Sequence, residues 1–191
     1  VVLTAGLTTF GALSSLAAVE PQGHGQAAPT AADAKMIAGD FLKRLKGAMQ
    51  EGISKGGPVA AIGVCSEQAM QMGAEAARQS GWSVRRVSTR TRNPLNLPDG
   101  YELGVLGEFE KAIAGGKVGP DRFEIVTEGG VRYARFVKAI RIEQPCLACH
   151  GGKEVAPGTE DKLRALYPHD TARYYAVGDL RGALSMKIKI D

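Results

Sequence analysis

The sequence predicts an α+β domain built on an antiparallel sheet. Three observations carry that expectation. Apolar residues recur at helical spacing in three stretches before residue 115. Alternating stretches at 82–92, 131–142 and 181–190 read as strands. The connection Glu128-Gly129-Gly130 is a hairpin turn, too short for the crossover that parallel strands need. With 191 residues, the chain is long enough for one domain with a true core plus appendages.

The elements follow in order. Asp33 is placed to cap a helix running to about Ile53, with Met36, Ile37, Phe41, Leu45 and Met49 spaced for one face. Gly56-Gly57-Pro58 ends it, and Ala60 to Val64 is a short apolar run leading into Cys65. Ser66 to Gln79 reads as a second helix, ended near Gly81. Trp82 to Arg92 alternates as a strand, and Asn93 to Gly100 is a loop stiffened by Pro94 and Pro98. Glu102 to Ala114 is a third helix, stopped by Gly115-Gly116. Phe123 to Thr127 and Val131 to Ile142 form the hairpin, and Arg181 to Ile190 is the last strand. On that strand Ala183, Ser185, Lys187 and Lys189 face opposite Leu184, Met186, Ile188 and Ile190.

Three regions are expected. Residues 1–19 carry no charge and are rich in Val, Leu, Ala, Gly, Ser and Thr. They read as an export signal, with Ser15-Leu16-Ala17 as a small-x-small cleavage site, or as an N-terminal hydrophobic helix that anchors the chain in a membrane. Residues 20–32, with Pro21, Gly23, Gly25 and Pro29, read as a linker, and residues 33–191 as the folded domain. Net charge is +4. The basic residues do not cluster with aromatics, which argues against a nucleic-acid partner.

The most specific stretch is Cys146-Leu147-Ala148-Cys149-His150. C-x-x-C-H is the attachment signature of a c-type haem. Two thiols at this spacing can each add across one vinyl group of the same porphyrin, and the adjacent imidazole then serves as the proximal iron ligand. The rival readings are a redox dithiol and half of a zinc site. No thioredoxin-like βαβ pattern surrounds the motif, and no second ligand pair accompanies it. The expected cofactor is therefore one covalent haem c on Cys146, Cys149 and His150. The third cysteine, Cys65, reads from its residues alone either as an axial ligand or as a buried structural thiol. Arg92 and Asn93 read as propionate partners or as ordinary loop residues. Tyr133 reads as a pocket or a core aromatic, and Asp179 and Arg181 as turn residues before the last strand. His24 falls in the linker and His169 on the surface, while Met36, Met49, Met70, Met72 and Met186 sit at positions typical of a core.

Four stretches together carry a resemblance: Ala61-Ile62-Gly63-Val64-Cys65-Ser66, Thr91-Arg92-Asn93-Pro94-Leu95-Asn96, Pro145-Cys146-Leu147-Ala148-Cys149-His150-Gly151 and Gly178-Asp179-Leu180-Arg181-Gly182-Ala183. They span most of residues 33–191, and through them the chain resembles the single-haem, c-type haem domains with a PAS-like fold described in cyanobacteria. The resemblance implies a PAS-like antiparallel sheet flanked by helices. It also implies Cys65 as the sixth iron ligand opposite His150, and Arg92 and Asn93 beside the haem.

His/Cys ligation favours ferric iron and a low potential, whereas a His/Met pair raises it. The leading expectation is a non-enzymatic electron-transfer cytochrome, exported to the periplasm or another extracytoplasmic space. Its partner would be a redox protein, such as a respiratory or photosynthetic membrane complex. The alternative is a haem-based redox or gas (NO or CO) sensor. A haem enzyme is disfavoured, because a sixth protein ligand closes the substrate position and no Arg–His distal pair is evident.

Overall fold

In a computed structural model the chain is described at Val1 and over residues 28–190. The signal or anchor reading and His24 lie outside the described residues. Among those described, no helix is long and apolar enough to cross a membrane.

Four strands form one antiparallel sheet: β1 (Ser83–Val87), β2 (Asp121–Glu128), β3 (Val131–Arg141) and β4 (Leu180–Lys189), in spatial order β1-β4-β3-β2. Helices cover both faces. One face packs against α1 (Ala31–Gly63) and α2 (Ala69–Ser80), where Phe41, Leu45 and Trp82 meet Phe136, Leu184 and Met186. The other receives α3 (Gly100–Ala114), whose Val105, Leu106 and Phe109 meet Val87, Val137 and Ala183. The two-residue alternation of β4 thus sorts Leu184 and Met186 to one layer and Ala183 to the other, as the sequence pattern predicts.

Several boundaries differ from the sequence expectation. Thr30, not Asp33, caps α1; Asp33 completes a capping box by accepting the Thr30 backbone N–H at 3.1 Å. The break at Gly56-Gly57 is real, with Gly57 at φ 68°, but Pro58 restarts the helix and carries it to Gly63. A π-helical turn, Val64–Gln68, then leads into α2. The apolar run before Cys65 is therefore helical. β1 stops at Val87, five residues earlier than the alternation suggests. Its last partner on β4 is Ala183, so residues 88–92 have no strand beside them. Met36 and Met70 point outward, because the buried stripe of α1 includes Ala34, Ala38, Phe41 and Leu45 and that of α2 is Ala69, Gly73 and Ala76. Helix α5 (Pro157–Leu166) and the short α4 (Leu147–His150) were not anticipated.

One glycine is required where β4 begins. Gly182 has φ 149°, and a Cβ there would stand 2.2 Å from the Val87 carbonyl oxygen. Gly182→Ala is expected to cost on the order of 3 kcal/mol through strain and overpacking. That would lower the melting temperature by roughly 6–12 °C. An unchanged thermal unfolding curve would contradict this account of the β1–β4 junction.

Candidate functional site

A cavity of about 420 Å3 lies between α1 and the end of the sheet where β1 stops and β4 starts. That volume is within the range of small-molecule and cofactor pockets, roughly 300–1,000 Å3. Leu42, Leu45, Met49, Ile53 and Ile62 form an apolar wall on α1, and Ile140 and Ile142 continue it from β3. Cys146, Cys149 and His150 line the same cavity, and so does Cys65, carried by the π-helical turn. The structure thus brings together residues separated by more than eighty positions of sequence. Single π-turns inserted in α-helices often mark functional positions, because the extra residue re-aims a side chain.

The motif is held by its own local structure. A 3-10 turn, Gln144–Cys146, runs into α4, which ends on His150. Gly151 must follow, since a Cβ there would meet the Leu147 carbonyl at 2.7 Å. His150 Nδ1 lies 2.9 Å from the Ala172 carbonyl and donates to it, which leaves the Nε2 lone pair for coordination. Burial holds the His150 pKa well below the usual range, and the Arg181 and Arg92 guanidinium groups depress it further. The imidazole is therefore neutral near pH 7, as an iron ligand must be. The ring edge of Tyr175 packs against it at 6.1 Å between centroids and 87°. Burial pushes the Cys149 thiol up, against the opposing effect of Arg92. Among the described residues, no three His, Cys, Asp or Glu side chains converge to hold a metal ion by themselves.

Arg92 is buried and lines the cavity, but its donors are engaged by the protein. Nε bonds Asp170 at 2.9 Å, and Nη2 bonds the Cys149 carbonyl at 2.5 Å. Asp170 also accepts the Ala172 backbone N–H at 2.8 Å. The Arg92–Asp170 pair therefore ties the loop after β1 to the motif and to the carbonyl that orients His150. Asn93 is not among the lining residues; its side chain accepts the Leu95 N–H at 3.0 Å and caps the 3-10 turn Pro94–Asn96. Tyr133 lies away from the cavity, with Lys187 Nζ 3.9 Å above its ring. Tyr167 takes the pocket position instead, beside Cys65. Of the methionines, Met49 reaches the cavity wall. Asp179 fixes its turn by accepting the Ala176 N–H at 2.8 Å, whereas Arg181 turns into the cavity.

Sequence reasoning missed Arg86, Arg181 and Tyr167 as cavity residues. For Arg181 a signal was present: Gly182 inside a strand pattern marks a bulge or a close backbone approach. With Arg141, these arginines give the cavity an excess of positive charge; among the described lining residues Glu143 is the one carboxylate, and Lys46 pairs with it at 2.7 Å.

The sequence profile of the Tll0287-like family (Tll0287) matches residues 19–189. Among solved structures, the cyanobacterial heme-protein Tll0287 superposes with a TM-score of 0.66 at 23% identity, covering 85% of this chain and 98% of that one. At that identity the likeness establishes a shared fold. No curated protein matches the chain significantly. A match over nearly the whole described domain, on a common α+β architecture, places this chain in the Tll0287-like family.

Proposed function

We propose that this chain is a c-type, single-haem cytochrome domain of PAS-like architecture that transfers electrons outside the cytoplasm. The observation that carries the proposal is the convergence of Cys146, Cys149, His150 and Cys65 on one apolar cavity. The residues fit the cofactor: the cavity lies in the size range of cofactor pockets, His150 keeps its Nε2 lone pair as a ligand once Arg181 Nε, 3.5 Å away, yields it, and arginines without a carboxylate partner among the described residues suit two propionates. The solved neighbour's description as a heme-protein supports the same reading.

Each residue then has a role. Cys146 and Cys149 would hold the group through one thioether each, a thiol adding across a vinyl group with no net oxidation, and His150 and Cys65 would supply its iron ligands. Arg92 and Asp170 hold the motif loop and the carbonyl that orients His150. The α1 wall excludes water from the site. Bound there, a haem supplies one-electron iron chemistry, and thiolate ligation biases it to low potential. Covalent haem attachment fits export, with residues 1–19 as signal or anchor and a redox protein or membrane complex as partner.

One observation favours a second reading, a redox or gas sensor. Cys65 sits on a π-helical turn, a departure from the regular α-helical ladder on either side, whereas His150 is held by its bond to the Ala172 carbonyl. Release of that ligand on reduction would open the iron to NO or CO.

Cys65→Ala tests the ligand set. The variant should keep its covalent haem and lose the low-spin thiolate spectrum. An unchanged spectrum would assign the sixth position to another group, Met49 first, because it shares the cavity wall.

A further inference from the structure

The ladder between β3 and β4 is regular as far as Ile140↔Gly182, and the next pair is Arg141↔Leu180. Arg181 is therefore the extra residue of a β-bulge. In an unbroken ladder it would share the face of Ala183 and Ser185, against α3. The bulge instead turns its side chain to the cavity, where Nε lies 3.5 Å from His150 Nε2. Ser88 Oγ and the Arg90 carbonyl hold Nη1 there at 2.9 and 3.2 Å.

No carboxylate forms an ion pair with it among the described residues, and Asp170 acts on it only through space. Arg92 and Arg173, the other cations acting on His150, both bond Asp170, at 2.9 and 2.8 Å. Arg181 has only neutral hydrogen-bond partners among the described residues. A fixed cation in a low-dielectric site stabilises a nearby group in its less positive state.

We infer that Arg181 is the positioning cation of this site, placed by the bulge beside the coordinating nitrogen of His150 to raise the iron potential against the lowering effect of the thiolate. The inference rests on the haem reading above and deepens it. The bulge, the strained Gly182 and the Ser88 bond together explain why a cation is kept next to a ligand nitrogen that would repel its own protonation. The net charge around a cofactor and its surrounding hydrogen bonds are the protein's means of setting its potential.

The test uses the full holoprotein with Arg181→Met and Arg181→Lys. Covalent haem is measured after denaturation and the midpoint potential by redox titration. Both variants should retain covalent haem. Arg181→Met should shift the ferric/ferrous equilibrium about tenfold toward ferric, which is 59 mV for a one-electron couple. Arg181→Lys, which keeps the charge, should shift it much less. If the methionine variant does not fold, Arg181→Gln reads the same loss of charge while keeping polar contacts to Ser88. Equal shifts in the lysine and neutral variants, or none in either, would overturn the inference. Absence of covalent haem from the wild-type protein would overturn the haem reading itself, a separate and recognisable result.

Discussion

Serine at both Cys146 and Cys149 should abolish haem retention after denaturation, while serine at either one alone should leave a single thioether and a haem that still resists extraction. The chain should fold in each case. Cys146 lies in a 3-10 turn and Cys149 in the short α4, and Cys146 packs on a small cluster of Ile142, Leu147, Ala172 and Tyr175, separate from the two main cores. The effect on binding should be large, because thioethers at these two positions would make coordination by His150 intramolecular. Loss of a tether replaces a high effective concentration with ordinary mass action. The measurement is haem-specific absorbance of acid–acetone-extracted protein. Full retention in the double serine variant would mean that the cavity holds its cofactor without covalent bonds, and the C-x-x-C-H reading would fall.

A large effect on folding is also expected at Arg135. It is 2% exposed in the middle of β3 and faces α3. Its guanidinium bonds Asp99 and Glu128, each at 2.7 Å, lies 3.4 Å from Glu102, and stacks 4.3 Å over the Tyr101 ring. Glu102 is equally buried. Arg135→Met leaves that carboxylate with the Asp99 N–H at 2.8 Å and Arg85 at 3.7 Å. Breaking a buried pair by removing one partner costs about 3–5 kcal/mol, and the remaining contacts point to the lower end, about 3 kcal/mol. Adding Glu102→Gln should restore part of the loss, since the amide oxygen still accepts the Asp99 N–H and no charge is stranded. Chemical denaturation of the single and double variants checks both statements. A double variant no more stable than Arg135→Met would contradict the buried-charge account.

The same network gives stability an acid limit. Burial opposes ionisation of Asp99, but the Glu102 N–H and Arg135 hold its carboxyl below the ordinary 3.8. Lys187 holds Glu128 below 4.5, with Arg135 adding to it. Both folded values lie below the unfolded ones. Their contribution is therefore complete above about pH 4.5 and is lost as pH falls through the depressed values.

Which parts were legible in the sequence follows from the range of the interactions involved. The hairpin, the two faces of β4 and the end of α2 at Gly81 depend on neighbours within a few residues, so the chain displays them. The C-x-x-C-H motif is legible because its five residues are consecutive. The course of β1 beyond Val87 was not, because it depends on where β4 begins, almost a hundred residues later. Arg92 read as a propionate partner or an ordinary loop residue. Its partner Asp170 lies far along the chain, and only tertiary structure reveals that the guanidinium braces the motif. Arg181 looked like a turn residue because a bulge reverses the face that strand alternation assigns. Helix α5 was hidden by a mostly polar surface, with Thr159 and Leu163 its buried residues.

The account is tested most directly by EPR and optical spectra of the purified ferric protein together with its midpoint potential. His150/Cys65 ligation predicts a low-spin thiolate signal and a clearly negative potential. A methionine-type charge-transfer band with a high positive potential would contradict it, and would make Met49, on the same cavity wall, the sixth ligand of a high-potential carrier.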